Sequence, residues 1–194
     1  MDSQTLQPTT PEPQPENRYP DCLYMELEAI EVQSGQIELP VTIRFNEQWE
    51  PLLNGRVKFG LKGGELKLKL ENGEILDNSN HLIGSVELVS TVCQVKTNGL
   101  QFNPAWVFEL KIGASVLKGS LDRRLGIMNV TGKPCCVEAI FEVSLKYLHL
   151  TNIEGLYPQN VSLNKQLILE AAIRKHLWES KLKPYLSRVE LRYG

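Results

Sequence analysis

The side chains able to do chemistry are few and dispersed: three histidines (His81, His149, His176) and four cysteines (Cys22, Cys93, Cys135, Cys136) in 194 residues. A metal ion needs imidazole, thiolate or carboxylate ligands that converge. No histidine here has a ligand partner at helical i+4 spacing or in a CxxC or HxH pattern. His149 with Cys135 or Cys136 is the nearest approach, and those residues fall at opposite ends of one predicted strand. A Cys-His nucleophile pair can be assembled from positions distant in sequence, so thiol chemistry stays open. Neighbouring strand residues point to opposite faces, so one of Cys135 and Cys136 reads as a small core hydrophobe and the other as exposed or under the helix. GxSxG, Walker A, HExxH and GxGxxG patterns do not occur. The expectation is no catalytic residue, no metal ligand and no cofactor.

Two charged clusters could bind anions. Asp122-Arg123-Arg124 is the tightest, and an arginine pair can grip phosphate or carboxylate in bidentate fashion, which makes Arg123 and Arg124 the candidate anion site. The competing reading is an exposed turn with Asp122 pairing locally. Lys58, Lys67 and Lys69 would line up across two paired strands if RVKFGL (56–61) and ELKLKLE (65–71) form a hairpin. Glu65 and Glu71 dilute that charge, and no aromatic side chain alternates with the lysines as a stacking platform would require. Weak nucleic-acid binding is therefore an alternative, and a solvated strand face is favoured.

The stretch Ser162 to Lys183 stands apart as the one long segment of helical composition without Gly or Pro. Ser162 suits an N-cap, Lys181 and Lys183 suit the C-terminal dipole, and Pro184 stops the helix. Stepping about 100° per residue, Leu167, Ala171, Trp178 and Leu182 form one apolar stripe, and Leu169, Ile173 and Leu177 a second. Two stripes are wider than a helix lying on one sheet needs. Either both pack inside the domain or one docks a partner, and Leu167, Trp178 and Leu182 are the candidate partner-binding residues.

Everything before this helix reads as strands and turns. Leu23, Met25, Leu27 and Ala29 alternate with polar residues, the phase slips to Ile30 and Val32 as a β-bulge would make it, and Ser34-Gly35 turns into Ile37 through Phe45. Pro40 should sit at an edge or at a position that donates nothing to the ladder. Asn54-Gly55, Gly63-Gly64, Asn72-Gly73 and Asn98-Gly99 are turn dipeptides. Leu82 to Lys96 predicts a long strand or two broken ones. CCVEAIFEVSLKYLHL (135–150) would span about 50 Å at 3.3 Å per residue, so it must bend strongly or serve two sheets in succession. SRVELRY (187–193) resumes strand alternation.

The fold class that follows is mainly β, an antiparallel meander forming a sandwich or open barrel, with one C-terminal α-helix (162–183) packed on it and a final short strand (187–193). Residues 21–194 are expected to form a single domain. Residues 1–20, with five prolines and almost nothing apolar, read as a disordered or polyproline-like arm. The net charge of -2 hides a gradient: ten acids against two bases in residues 1–50, and seven bases against three acids in residues 164–194. An acidic start packed beside a basic end accounts for it. Without a signal-peptide pattern, a long apolar run or a CxxC spacing, free thiols, no membrane span and a cytoplasmic location are expected. The functional expectation is a non-catalytic binding or assembly module engaging a protein partner or a second copy through its helix and sheet-edge surface. The alternative is an enzyme or small-ligand carrier with a pocket between sheet and helix.

Overall fold

Period-two hydrophobicity dominates the chain and the strands follow it. The structure, a computed structural model, describes residues 15–76, 93–100, 103–110, 113–158 and 160–193. In chain order its strands are β1 (Glu16–Asn17), β2 (Leu23–Leu27), β3 (Ile30–Gln33), β4 (Gln36–Phe45), β5 (Gln48–Leu52), β6 (Gly55–Leu61), β7 (Gly63–Glu71), β8 (Gly73–Ile75), β9 (Cys93–Leu100), β10 (Asn103–Leu110), β11 (Gly119–Val130), β12 (Cys135–Glu142) and β13 (Leu148–Glu154). Helix α1 (Leu163–Leu177) and strand β14 (Ser187–Tyr193) complete it.

All described strand pairs are antiparallel and build three open sheets: β1-β14-β12-β7-β10-β9, β2-β4-β11-β8 with β3 also on β4, and β13-β6-β5. The first two face each other as a sandwich. Phe45 of β4 meets Phe108 of β10 and Phe141 of β12 with ring centroids 5.9 and 5.8 Å apart, contacts that add about 0.5–1.5 kcal/mol each beyond area burial. Tyr19 meets Phe59 of β6 edge-on at 5.8 Å and ties the third sheet to the same core.

Several expectations hold in detail. Leu23, Met25 and Leu27, then Ile37, Leu39, Val41, Ile43 and Phe45, are buried on alternate positions across the β3–β4 turn region. The 135–150 segment does serve two sheets: β12 ends at Glu142, a 3-10 turn at Leu145–Tyr147 redirects the chain, and β13 joins the third sheet. Pro40 lies on a central strand, where both neighbours are irregular beside it. The chain leaves ladder geometry between β2 and β3, and β11 shifts register between Arg124 and Ile127.

The turn dipeptides behave differently. β6 and β7 do not pair with each other, and the chain passes from the third sheet to the first at Lys62. Gly64 is glycine because a Cβ there would sit 2.3 Å from the Phe141 ring, a close approach and not a turn requirement. The β5–β6 turn falls one residue early, on Leu53-Asn54, with Leu53 at φ 53° and Leu52 opposite Gly55. Asn98 and Gly99 lie inside β9, opposite Ala105 and Pro104. The expected break at Asn103-Pro104 opens β10 instead. Most of the expected strand 82–96 lies outside the described residues, apart from its end in β9.

The expected arm of residues 1–20 ends earlier than its composition suggests. Its residues 1–14 lie outside the described residues, but Glu16 and Asn17 pair with β14 and Tyr19 is buried. Arg18 donates through Nη1 to Lys183 O and Tyr185 O and through Nη2 to Lys181 O, at 2.8–2.9 Å. Lys181 also pairs with Glu50 at 3.2 Å. The acidic start does pack beside the basic end.

Candidate functional site

The helix forms where expected, but its two stripes meet different fates. Ile173 and Leu177 are buried at 8% and 0% exposure, against the side of the molecule that carries β13. Leu163, Leu167 and Ile168 stand 71%, 58% and 69% exposed, with Ala171 and Ala172 exposed beside them. Lys165 lies one turn ahead of Ile168 and Lys175 one turn beyond Ala171, both exposed, whereas Arg174 is half-buried with its Nε inside the fold. Apolar side chains rimmed by bases therefore form the outer face of the N-terminal half of α1.

Of the three candidate partner residues, the structure leaves only Leu167 on that face. After Leu177 the helix widens into a π turn, Trp178–Leu182, in which Lys183 N–H donates to Trp178 O at 3.2 Å. An i→i+5 turn holds more residues than an α turn, so every later side chain is rotated back relative to the α phase. Leu182 thus joins the buried side, at 1% exposure, and offers a partner nothing. Trp178 is half-buried and its indole N–H donates to Val143 O at 2.9 Å.

Trp178 lines a groove of about 680 Å³ with Gly64, Val107, Val143, Tyr147 and Lys183. Lys183 Nζ lies 3.8 Å from the Trp178 ring centroid and Lys146 Nζ 4.3 Å from that of Tyr147. Glu65 and Glu142 also line this groove, but Lys67 holds both, at 3.5 and 2.7 Å. The Tyr147 hydroxyl donates to Glu109 at 2.6 Å. Among its described lining residues nothing is arranged as a base beside a nucleophile.

The arginine pair is not a loop site. Asp122, Arg123 and Arg124 lie inside β11, where consecutive side chains point to opposite faces. Arg123 turns inward, 7% exposed, and its Nη1 donates to Asp122 O at 2.8 Å. Arg124 points outward to Glu38 at 2.9 Å, and Asp122 accepts from the Thr42 hydroxyl at 2.7 Å. The two guanidinium groups cannot converge on one anion.

Nor do the three lysines line up. Lys58 belongs to the third sheet, with Glu47 at 3.8 Å. Lys67 and Lys69 belong to the first, where Glu142 and Glu138 face them at 2.7 and 3.1 Å. Arg188 caps Glu138 from the far side and Arg192 meets Glu190 at 2.8 Å. This outer face is a ladder of opposite charges, which cross-strand pairing explains.

Cys135 is buried and Cys136 half-buried, as opposite strand faces require, and both thiols are free, as is that of Cys22. Burial pushes the Cys135 and Cys136 thiols up, away from the thiolate that nucleophilic chemistry needs. His149 is held below the ordinary imidazole value by burial first and then by Lys62 and Arg174, against the opposing pull of Glu170 and Glu47. His176 is exposed on α1, and His81 lies outside the described residues. Among the described residues no group of three or more His, Cys, Asp or Glu is placed to hold a metal, and no helix is long and apolar enough to cross a membrane. Compared with known proteins, the chain matches no family model and no curated protein.

The sequence missed Leu163 and Ile168. The signal for Leu163 was its place one turn before Leu167. Ile168 belongs to neither stripe at a 100° step, and only its exposure in the structure singles it out.

Proposed function

We propose that this protein is a non-catalytic docking module that holds another protein against the outer face of α1. The observation that carries this reading is the set Leu163, Leu167 and Ile168, three large apolar side chains more than half exposed on one face of a helix already anchored by its other face. Keeping such a cluster in water costs solubility and gains nothing in folding, whereas covering it is favourable by about 25 cal/mol per Å² of apolar area. The occupant is a partner segment with an apolar strip and an acidic margin. From Leu163 to Leu182 the chain carries four basic residues against two acidic ones. Of those acids, Glu179 lies 3.9 Å from Lys175 and Glu170 acts on His149. The free thiols of Cys22, Cys135 and Cys136 fit work in a reducing, cytoplasmic compartment.

The test uses the full chain and the double variant L167E/I168E. Both should unfold at the same temperature. A purified partner with an acidic, apolar segment should bind the wild type and bind the variant at least about tenfold more weakly. Equal binding of both would overturn the reading. Self-association of the purified wild type that the variant loses would make the occupant a second copy, and would overturn the choice of a different protein.

A further inference from the structure

The helix is held at one end. Ile173 and Leu177 are the buried side chains of α1, and Leu182 of the π turn joins them. Trp178 donates to Val143 O, and Lys181 pairs with Glu50 of β5. Among the described residues, no side chain of 163–172 is buried or belongs to the core, and none makes a hydrogen bond or ion pair with the sheets. The docking half of α1 therefore projects from a root at residues 173–182.

Arg18 sits on that root. The last carbonyls of a helix have no partner within it and carry the negative end of its dipole. The Arg18 guanidinium reaches carbonyls in and just beyond the final turn, Lys181 O at 2.8 Å through Nη2, and Lys183 O and Tyr185 O at 2.9 and 2.8 Å through Nη1. The Tyr19 hydroxyl donates to the same Lys181 O at 2.9 Å. A planar fork fixes where its acceptors lie, which the single ammonium of a lysine does not. The guanidinium is itself placed by two rings, its Cζ lying 5.8 Å from the Tyr19 centroid and 5.6 Å from that of Tyr185. The segment carrying Arg18 is tied to all three sheets. Glu16 and Asn17 pair with Arg188 and Ser187 of β14, and Arg18 N–H donates to Leu186 O at 3.0 Å. Asn17 clamps the Met25 backbone of β2 at 2.8 and 3.1 Å, and Tyr19 is buried against Phe59 of β6. Leverage gives these ties an effect at the far end. Leu163 lies about 21 Å from Leu177 along the axis, so a tilt of about 10° at the root carries it about 4 Å.

We propose that residues 16–19 form a strap that sets the direction of α1 from its root, with Arg18 as the positioning residue, and that docking on Leu163, Leu167 and Ile168 is lost when the strap is unseated. This control rests on docking through α1 and lies at the opposite end of the helix from the docking face. A face held in one direction binds without the cost of being ordered, and a swinging one carries that cost.

Residual dipolar couplings of backbone N–H groups in the full chain read the angle between α1 and β12. A single alignment frame should fit both elements in the wild type, and also in L167E/I168E, whose changes lie on the face and not at the root. Arg18→Gln should turn α1 by about 10° or more against β12, or shrink its couplings through motion, while those of β4 and β12 stay as they are. Arg18→Lys keeps the charge without the fork and should displace α1 in the same way. An amphipathic helical peptide of leucine and glutamate should bind the Arg18→Gln chain at least about tenfold more weakly than the wild type. One common frame in Arg18→Gln would overturn the proposal, as would undiminished peptide binding by a displaced helix. Loss of β4 and β12 together with α1 would make Arg18 a prop of the whole fold and would overturn it too. A peptide that ignores the wild type would overturn docking on α1 and the control assigned to the strap, even where the couplings show the strap in place.

Discussion

The two halves of the segment from Leu163 to Leu182 have similar apolar content and opposite fates. The second half puts Ile173, Leu177 and Leu182 into the core and hangs Trp178 on the Val143 carbonyl. The first half puts Leu163, Leu167 and Ile168 into water. Composition does not separate them. What separates them is phase. The buried side of an α-helix is one face, and the second half reaches the core with four residues because the π turn at Trp178–Leu182 brings Leu182 round to it. The first half has no such device, and its face points away from the sheets.

This contrast can be broken in graded steps. Leu182→Ala should cost about 2–5 kcal/mol in denaturant unfolding, the range for a buried leucine that leaves a cavity. A cost like that of a surface substitution would mean the π turn does not pack as described. Trp178→Phe keeps one aromatic ring but removes the pyrrole part of the indole with its donor, so at least about 1 kcal/mol should be lost as the Val143 carbonyl gives up its partner. His149 lies between the helix and the sheet and tests their contact through pH. Its folded-state value lies below the unfolded one, so its contribution is complete at pH above about 6.5 and is lost as the pH falls from there through the folded value. His149→Gln should flatten the stability profile in that window, and an unchanged slope would show that this imidazole is not held neutral. Smallest of all, L167E/I168E should alter unfolding by no more than about 0.5 kcal/mol, as exposed positions do.

Much of the fold could be read from period-two alternation, because one face of each strand is buried and a slip of one residue would expose it. Ile37 to Phe45 and Cys135 to Glu142 are read that way without error. The 135–150 segment was too long for one flat strand, and length alone implied the crossing between sheets. Connectivity was less legible. A glycine-containing dipeptide looks the same whether it flanks a turn, as Asn54-Gly55 does beside Leu53, or admits a neighbouring ring, as Gly64 admits Phe141. Hence β6 and β7, which read as a hairpin, belong to different sheets. The Asp122-Arg123-Arg124 run looked like a loop because charge clusters are usually exposed, and its place inside β11 follows only from pairing with β4. For the helix, sequence gave two stripes but not which one faces the core. A uniform 100° step cannot anticipate the change of phase at Trp178, so it places Leu182 on the stripe of Leu167 and not on the buried side.

Backbone hydrogen exchange of the full chain, alone and saturated with its purified partner, tests docking through α1 most directly. Protection should rise at residues 163–172 and stay unchanged in β12 and β14. Protection that rises instead around Lys146, Trp178 and Lys183, with 163–172 unaffected, would place the partner in the neighbouring groove and contradict a docking face on the first half of the helix.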